Sequence, residues 1–339
     1  MMRMTRRRVV AAAATLVLSA VGLTACGSKS EPTPSAAPSS GAASAYPMTL
    51  ESPFGKTELK EKPKRVAVVS DIDLDIALAL GIKPVISPRY GDAKLEPWEA
   101  PVVEKLGGDL TTYNSTDGVD FEAIAAAKPD VILATSGWSL DKDYAQLSKI
   151  APVVSYQGKD GLSAMTWDQR TKEAAKALDE TPKAEAVIAE VTKKFDTAKA
   201  AHPEFAGKSF TYAVIHPQQI TYESYKGGDV SFFTRLGFTQ PEMASKFGAK
   251  NNGVSRENLD VLDSDILLIG YPFGDEGLMS REKLEADPLF KQLKVVSGGH
   301  YAVVPDEIAS PLAYPTPLSE PWLVDQLVPI LSTAAAGKK

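Results

Sequence analysis

Short unbroken apolar runs alternate along the first half of the chain with segments whose apolar residues recur at helical spacing. The runs at residues 65–69, 84–86 and 131–134 predict strands, since continuous hydrophobicity of this kind is typical of a parallel sheet buried on both faces. Residues 71–80 and 121–127 predict helices, which end at a glycine and at a Lys-Pro-Asp turn respectively. Alternating strands and helices indicate an α/β fold class.

A long helical stretch occupies the middle of the chain. Residues 166–178 predict one helix, and residues 182–201 predict a second that has proline in its first turn and is roughly 30 Å long. An edge hairpin is expected at residues 54–62, and the α/β pattern restarts after the long helix. The strands expected in the second half are residues 209–215, 266–269, 295–296 and 301–304, and the helices are residues 231–236, 257–262 and 318–331. Two α/β lobes joined by one long helix is the simplest architecture that fits.

The two halves repeat one short pattern. Residues 121–124 and 128–133 match residues 257–259 and 263–268 in their order of a glutamate, a turn containing an aspartate and a buried apolar run. In each copy the glutamate opens a short predicted helix, and the apolar run predicts the strand that follows. The repeat supports two lobes of similar construction.

The N-terminus has the layout of an export signal. Three arginines, Arg6 to Arg8, precede an apolar run at residues 9–23, which is short for a membrane-spanning helix. The run closes on small residues before Cys26, the only cysteine in the chain, and this resembles a bacterial lipobox. By that resemblance the signal is removed before Cys26 and the sulfur carries a lipid; the alternative is a chance cysteine in an apolar leader. The arginines fit a twin-arginine signal and a general charged start equally.

A tether of low complexity follows the cysteine. Of the 19 residues from position 27 to 45, 17 are Gly, Ser, Ala, Pro or Thr, which bury too little apolar surface to offset the entropy of ordering. We predict a flexible linker between a lipidated Cys26 and a body that begins near residue 48. The expected location is therefore the cell membrane, with the protein anchored by lipid on the extracytoplasmic face.

Composition and motifs exclude several function classes. Beyond the first 25 of the 339 residues, 43 acidic residues face 33 basic ones, which argues against a nucleic-acid partner. The sequence contains no Gly-x-Ser-x-Gly, phosphate-loop or His-Glu-x-x-His motif, so we expect neither an enzyme nor a cofactor. The histidines His202, His216 and His300 lack the spacing of metal ligands, which disfavours direct binding of a bare metal ion.

The order and spacing of seven short segments are more specific than any one of them alone. The segments are residues 65–81, 122–134, 147–154, 257–268, 287–293, 301–304 and 317–322. Together they resemble the helical-backbone substrate-binding proteins of iron-siderophore, haem and vitamin B12 ABC importers, over roughly residues 57–331. The resemblance implies a rigid two-lobed protein whose ligand cleft lies between the lobes.

The same resemblance implies an extracytoplasmic lipoprotein that binds an iron(III)-siderophore complex and delivers it to the permease of an ABC importer. Haem or cobalamin as cargo is the alternative, and a surface lipoprotein without a transport role is a remote one. The expected partners are the ferric siderophore, the permease and the membrane, and the body is expected to be monomeric.

The expected boundaries are residues 1–25 for the signal, 26–47 for the lipidated cysteine and linker, 48–165 for the N-terminal lobe, 166–205 for the helical segment and 206–339 for the C-terminal lobe.

The resemblance also assigns a docking role to one glutamate on top of each lobe. The matching positions are Glu122 and Glu257, which would pair with arginines of the permease. Two carboxylates held at a fixed separation can read the spacing of two arginine pockets. The alternative is that both are acids that simply favour the first turn of a helix.

Residues that follow predicted strands are candidates for the cleft, because ligands of α/β domains lie outside the carboxyl ends of strands. Aromatic side chains supply rigid walls for a bulky chelate, and arginines offset the negative charge of a catecholate or carboxylate complex. The candidates are Arg89, Tyr90, Trp138, Tyr156, Trp167, Tyr222, Tyr225, Arg235, Tyr271 and Tyr314. Packing in the core is the alternative for each aromatic residue.

Arginines are scarce beyond the signal. Six remain, of which Arg65 begins a predicted strand and Arg256 adjoins a predicted docking glutamate. A strongly anionic chelate needs several arginines in one place. The scarcity therefore favours a neutral or cationic hydroxamate complex as the cargo.

Overall fold

The computed structural model describes residues 45–158, 165–224, 232–248, 251–272, 274–275, 277 and 280–337, so Cys26 and Tyr225 lie outside the described residues. Its strands are β1 (Met48–Ser52), β2 (Gly55–Leu59), β3 (Val66–Val68), β4 (Ser87–Arg89), β5 (Thr112–Asn114), β6 (Val131–Ala134), β7 (Val153–Ser155), β8 (Phe210–His216), β9 (Gln219–Glu223), β10 (Gly253–Val254), β11 (Ile266–Gly270) and β12 (Tyr301–Val304). Its α-helices are α1 (Asp71–Ala79), α2 (Ala100–Lys105), α3 (Phe121–Ala126), α4 (Leu140–Ile150), α5 (Trp167–Leu178), α6 (Thr181–Ala201), α7 (Phe232–Arg235), α8 (Arg281–Ala286), α9 (Pro288–Gln292), α10 (Lys294–Ser297), α11 (Asp306–Ala313) and α12 (Ser319–Ala335). Short 3-10 helices cover Pro203–Phe205, Glu242–Lys246 and Arg256–Leu262. Within the described ranges, no helix combines the length and the apolar character needed to cross a membrane.

The first lobe is built on a parallel sheet in the strand order β3-β6-β7. Both faces of this sheet are covered, which explains the unbroken apolar runs of its strands. Val68 and Leu133 pack on the side that carries α1 and α5, whereas Ala67 and Ile132 pack on the side that carries α3 and α4. The predicted strands at residues 65–69 and 131–134 are therefore confirmed.

Two predicted elements of the first lobe are displaced in the structure. Ile86, the last residue of the predicted strand at residues 84–86, forms a single bridge with Ala67. The chain then turns away, and β4 pairs with β5 in a separate parallel sheet. The predicted edge hairpin at residues 54–62 begins earlier, because β1 and β2 form the antiparallel pair. Its turn contains Gly55 at a φ of 116°, a conformation that glycine adopts without strain.

The second lobe contains a five-stranded sheet in the order β10-β9-β8-β11-β12. Strands β8, β11 and β12 are parallel, and β9 returns antiparallel to β8. Leu327 of α12 packs with Phe210 and Leu268 on one face of the sheet, and Leu267 and Ile269 point into a second core on the other face.

Two predictions for the second lobe need correction. Residues 295–296 are helical rather than extended, because the Asp263 carboxylate accepts the Val295 N–H (2.9 Å) and caps the start of α10. The predicted helix at residues 257–262 is a 3-10 helix that is interrupted at Asn258 (φ −114°, ψ 30°).

Helix α6 joins the lobes, and it begins one residue before the predicted start at residue 182 and ends at the predicted residue 201. It runs for 21 residues, with Pro182 in its first turn. Ala184 belongs to the core of the first lobe, and Val191 and Phe195 belong to a core of the second. The predicted fold class, two α/β lobes joined by one long helix, is therefore confirmed.

The sequence repeat corresponds to the same local structure in each lobe. The Asp130 carboxylate precedes β6 and accepts the backbone N–H groups of Lys64 and Arg65 at 2.8 and 2.9 Å. The Asp265 carboxylate precedes β11 and accepts the N–H and the hydroxyl of Ser209 at 2.7 and 2.8 Å. In both lobes the aspartate of the repeat therefore fixes the start of the neighbouring parallel strand.

Candidate functional site

A cavity of about 430 Å³ lies between the lobes. The first lobe contributes helix α1, the loops that follow β3 and β6, and the region around β4 and β5. The second lobe contributes Asp306, Glu307, Ser310, Pro311, Tyr314 and Thr316. Loops at the carboxyl ends of parallel strands are where α/β domains hold ligands, so this cavity is the candidate functional site.

Asp73 in helix α1 fixes the first-lobe wall of the cavity. Its carboxylate accepts the Ser70 hydroxyl at 2.6 Å and the backbone N–H of Thr135 at 3.0 Å, which joins the start of α1 to the loop after β6. Burial raises the pKa of Asp73, and the hydrogen bonds from Ser70 and Thr135 oppose that rise. The loop after β6 is thereby held with Gly137 and Trp138 facing the cavity.

Asp75 in helix α1 connects the two lobes beside the cavity. Its Oδ2 accepts hydrogen bonds from Trp98 Nε1 at 2.7 Å and from the Thr316 hydroxyl of the second lobe at 2.6 Å. Its Oδ1 is buried and has no hydrogen-bond partner among the described residues. Burial, followed by the nearby Glu99 carboxyl, raises the pKa of Asp75 well above its ordinary value.

Two predicted cleft residues from opposite lobes meet at the cavity. Trp138 follows β6 and is 65% exposed, and Tyr314 follows α11 and is 47% exposed. Their rings stand edge to face, with centroids 5.3 Å apart and planes at 90°. The pair offers a large aromatic surface that no other packing within the described part of the chain covers.

The charged residues that line the cavity are all acidic. They are Asp71, Asp75, Glu96, Glu99, Asp143, Asp306 and Glu307. Among the residues that the structure describes, the lining includes no Lys, Arg or His. Burial raises the pKa of Glu96, Glu99 and Asp143, and neighbouring carboxylates add to this effect. The cavity therefore presents a negative field to whatever enters it.

Arg89 and Tyr90, predicted for the cleft, lie beside it rather than along its wall. Arg89 is buried, and its Nη2 donates to Glu99 Oε2 at 2.7 Å while its Nη1 is 3.9 Å from Asp71. Tyr90 is exposed and is not part of the cavity lining. The Arg89 guanidinium thus offsets the charge of Glu99 rather than offering itself to a ligand.

Three further candidate tyrosines lie away from the cavity. Tyr222 is 1% exposed because β9 turns its side chain into the core, where it stacks on Phe247 with centroids 4.3 Å apart. Tyr271 is also buried in that core. Tyr156 is half-buried and packs edge to face on Phe54. Contact of these three residues with a ligand stays a prediction that their position in this structure does not favour.

Trp167 and Arg235 lie at the junction of α6 with the second lobe. The Arg235 guanidinium donates to Glu320 at 2.8 Å and lies 3.5 Å from the centroid of the Phe195 ring and 5.9 Å from that of Trp167. Burial raises the pKa of Glu320 to about 7, although the guanidinium opposes that rise. This group is a buried ion pair outside the cavity lining.

Several cavity residues were not singled out from the sequence. Helix α11 was missed, although Pro305 followed by Asp306 and Glu307 after a strand is a helix-start signal that could have found it. Tyr113 in β5 is 5% exposed and lines the cavity, but nothing in the pattern around it distinguishes it from a core tyrosine. Asp75 was missed because it lies within a segment recognised only as an apolar helix.

A family model described as periplasmic binding protein matches residues 66–308, which is most of the chain. The chain belongs to the periplasmic binding protein family. Members of this family are solute-binding proteins, and a cavity between two lobes agrees with that class.

The names of several similar proteins refer to ferric citrate, to siderophores or to ferrichrome. The Fe(3+)-citrate-binding protein YfmC of Bacillus subtilis is 31% identical over 248 residues, which cover 72% of this chain and 74% of the relative. The probable siderophore-binding lipoprotein YfiY of Bacillus subtilis is 26% identical and covers 77% of this chain and 81% of the relative. The crystal structure of Streptococcus pneumoniae PiaA in complex with ferrichrome superimposes with a TM-score of 0.72 at 30% identity, over 86% of this chain and 99% of that one.

The family's predicted docking positions are both exposed in this member. Glu122 is the second residue of α3, whose start is capped by Asp120 through the Ala123 N–H (2.9 Å). Glu257 lies in the first turn of the 3-10 helix Arg256–Leu262. Each glutamate precedes the aspartate turn of the repeat, so the two carboxylates occupy equivalent places in the two lobes.

Proposed function

We propose that this protein captures an iron(III)-siderophore complex in the cavity between its lobes and delivers it to the permease of an ABC importer. The cavity carries the proposal, because it is lined by both lobes and presents the exposed pair Trp138 and Tyr314. Its volume of about 430 Å³ lies in the range of small-molecule sites. Rigid aromatic faces suit a bulky chelate. Ferric citrate and ferrichrome, which are named for similar proteins, are chelates of this kind.

Two further parts of the proposal concern the membrane. Cys26 carries the lipid that anchors the protein to the extracytoplasmic face, and the low-complexity linker gives the body its reach. Glu122 and Glu257 dock on the permease, because both are exposed at equivalent helix starts of the two lobes. The named lipoproteins among the similar sequences support the anchor.

Removing the Trp138 ring is expected to weaken chelate binding by roughly tenfold, because the ring supplies one wall of the cavity. The measurement is isothermal titration calorimetry of the purified full-length protein in mild detergent. Its ligands are ferrioxamine B, ferrichrome, ferric citrate, a ferric triscatecholate, haemin and cyanocobalamin. One ferric chelate is expected to bind with submicromolar affinity and to lose affinity in Trp138→Ala.

Tyr90→Ala is the matched control, since Tyr90 is an equally exposed aromatic residue of the same lobe outside the cavity lining. It should leave the affinity unchanged. Binding of haemin or cyanocobalamin alone would contradict siderophore capture and assign another cargo to the same site. Absence of any binding would contradict the transport role.

A further inference from the structure

The carboxylates at the cavity exceed what the neighbouring protein cations can balance. Glu99 is paired with Arg89, and Asp75 is buried within hydrogen bonds to both lobes. Within the described part of the chain, five acidic residues of the lining form no close ion pair with a protein cation, and they are Asp71, Glu96, Asp143, Asp306 and Glu307. Asp71 lies 3.9 Å from Arg89 Nη1, and Arg89 Nη2 is already paired with Glu99. This long contact therefore offsets little of the negative charge of Asp71.

A cluster of acids alone does not define a ligand, but two buried polar atoms beside this cavity also lack partners. The residue Asp75 is 3% exposed, and its Oδ1 accepts no hydrogen bond within the described part of the chain. Tyr113 is 5% exposed, and its hydroxyl also has no hydrogen-bond partner among the described residues. Both residues line the cavity. Since buried polar groups normally have partners, these two atoms mark places where a ligand can complete the hydrogen bonding.

The two unpartnered atoms suit different hydrogen-bonding groups of a ligand. A nearby ammonium group favours the ionised form of Asp75, whose Oδ1 can then only accept a hydrogen bond and so suits that donor. Burial, followed by the nearby carboxylates Asp71, Asp120 and Asp143, raises the pKa of Tyr113, so its hydroxyl keeps its proton and can donate to a ligand oxygen. The exposed faces of Trp138 and Tyr314 attract cations as well.

We infer that the cavity selects a ferric chelate of net positive charge that carries an ammonium group, with Asp75 as acceptor for that ammonium and Tyr113 as donor to an oxygen of the chelate. This inference rests on the proposed function. Negatively charged chelates such as ferric citrate complexes meet repulsion from the five acids at the same site. A bare metal ion is not the favoured occupant, because no group of three or more potential ligands is arranged to hold one among the described residues.

The test compares two probes that differ by one charge and share the same iron coordination. Ferrioxamine B is a ferric trihydroxamate with a pendant primary ammonium, and its N-acetyl derivative is neutral. We expect the full-length protein to bind ferrioxamine B at least about tenfold more tightly than the derivative at 0.1 M salt. The ratio should shrink at 0.5 M salt, because the more exposed carboxylates are screened.

Two variants assign the effect to the cavity. Asp75→Asn preserves an acceptor for Trp98 and Thr316 and places an amide donor where Oδ1 lies, so the preference for the charged probe should be lost. Asp306→Asn with Glu307→Gln, at exposed positions of α11 that carry little folding risk, should reduce the ratio several-fold. The control is Glu58→Gln with Glu61→Gln, which removes two charges at exposed positions outside the lining and should leave the ratio unchanged.

The outcomes separate this inference from the proposed function. Equal affinity for ferrioxamine B and its N-acetyl derivative would overturn charge selection while leaving siderophore capture intact. Tighter binding of ferric citrate or of a ferric triscatecholate would do the same. A preference that survives in Asp75→Asn and also in the α11 variant would overturn the assignment to these residues. Failure of every ferric chelate to bind would instead remove the proposed function, and the inference with it.

Discussion

A protein that carries both Glu122→Arg and Glu257→Arg is expected to bind its ferric chelate normally and to lose iron uptake. Both side chains are exposed and lie outside the cavity lining, so neither the fold nor the cavity depends on them. If they dock on arginines of the permease, reversal of their charge turns two attractions into repulsions. Loss of one such buried pair costs about 2–5 kcal/mol, so each single variant should lose at least roughly tenfold in uptake.

The measurement is uptake of radioactive iron, presented as the ferric chelate, by cells whose own copy of the gene is replaced by each variant. The control is Glu58→Arg with Glu190→Arg, which reverses two exposed carboxylates elsewhere on the body. Its uptake should match that of the unaltered protein. Normal uptake by the double variant at positions 122 and 257, at equal protein level, would refute docking through these glutamates.

Arg235→Met is expected to destabilise the protein by about 3–5 kcal/mol at pH 8, because it leaves the Glu320 carboxylate buried without its partner. The Arg235 guanidinium also packs on the Phe195 ring, and methionine replaces only part of that contact. The midpoint of thermal unfolding should fall by roughly 6–12 °C. Thermal unfolding followed by circular dichroism measures the change.

The cost of Arg235→Met should depend on pH. Burial raises the pKa of Glu320 to about 7 in the folded protein, so the folded state binds this proton more tightly than the unfolded chain. The stability that Glu320 contributes is therefore complete below about pH 4.5 and is lost as the pH rises through about 7. At pH 5.5 the variant can bury a neutral carboxyl, and its cost should fall to roughly 1–2 kcal/mol.

Arg281→Met is the matched control, since Arg281 pairs with Glu285 at the same 2.8 Å but on the surface. Exposed pairs of this kind contribute less than about 1 kcal/mol, so this variant should unfold almost as the unaltered protein does. Equal destabilisation by the two arginine variants, or an effect of Arg235→Met that does not change between pH 5.5 and pH 8, would show that burial of the Glu320 charge is not the cause.

The elements that could be predicted from the sequence are those whose environment is uniform along the chain. Strands β6 and β11 are covered on both faces, so their apolar runs are unbroken and their bounds could be read directly. Helix α6 has a proline in its first turn and no internal breaker before its end at Ala201. Helix α10 is only four residues long, and its capping by Asp263 depends on a contact 32 residues away.

The site was harder to predict because it is assembled from distant segments. Trp138 and Tyr314 could be proposed as exposed aromatic residues in loops, but the rule that residues after strands face a cleft also selected Tyr222, which β9 turns into the core. The acidic lining could not be predicted, since Asp71 and Asp306 are brought together only by the packing of one lobe against the other. The scarcity of arginines and the excess of acidic over basic residues beyond residue 25 did indicate the sign of that charge.

Helix α6 limits how much the relative position of the lobes can differ between the empty and the loaded protein. One continuous helix packed into both cores, together with the Asp75 bond to Thr316, resists changes in the relative position of the lobes. Under the proposed docking, Glu122 and Glu257 keep nearly the same separation with or without cargo, so we expect a permease that reads only this separation to accept both forms. We therefore expect empty carriers to compete with loaded ones for the importer, and overproduction of the protein in iron-poor medium to slow import instead of speeding it.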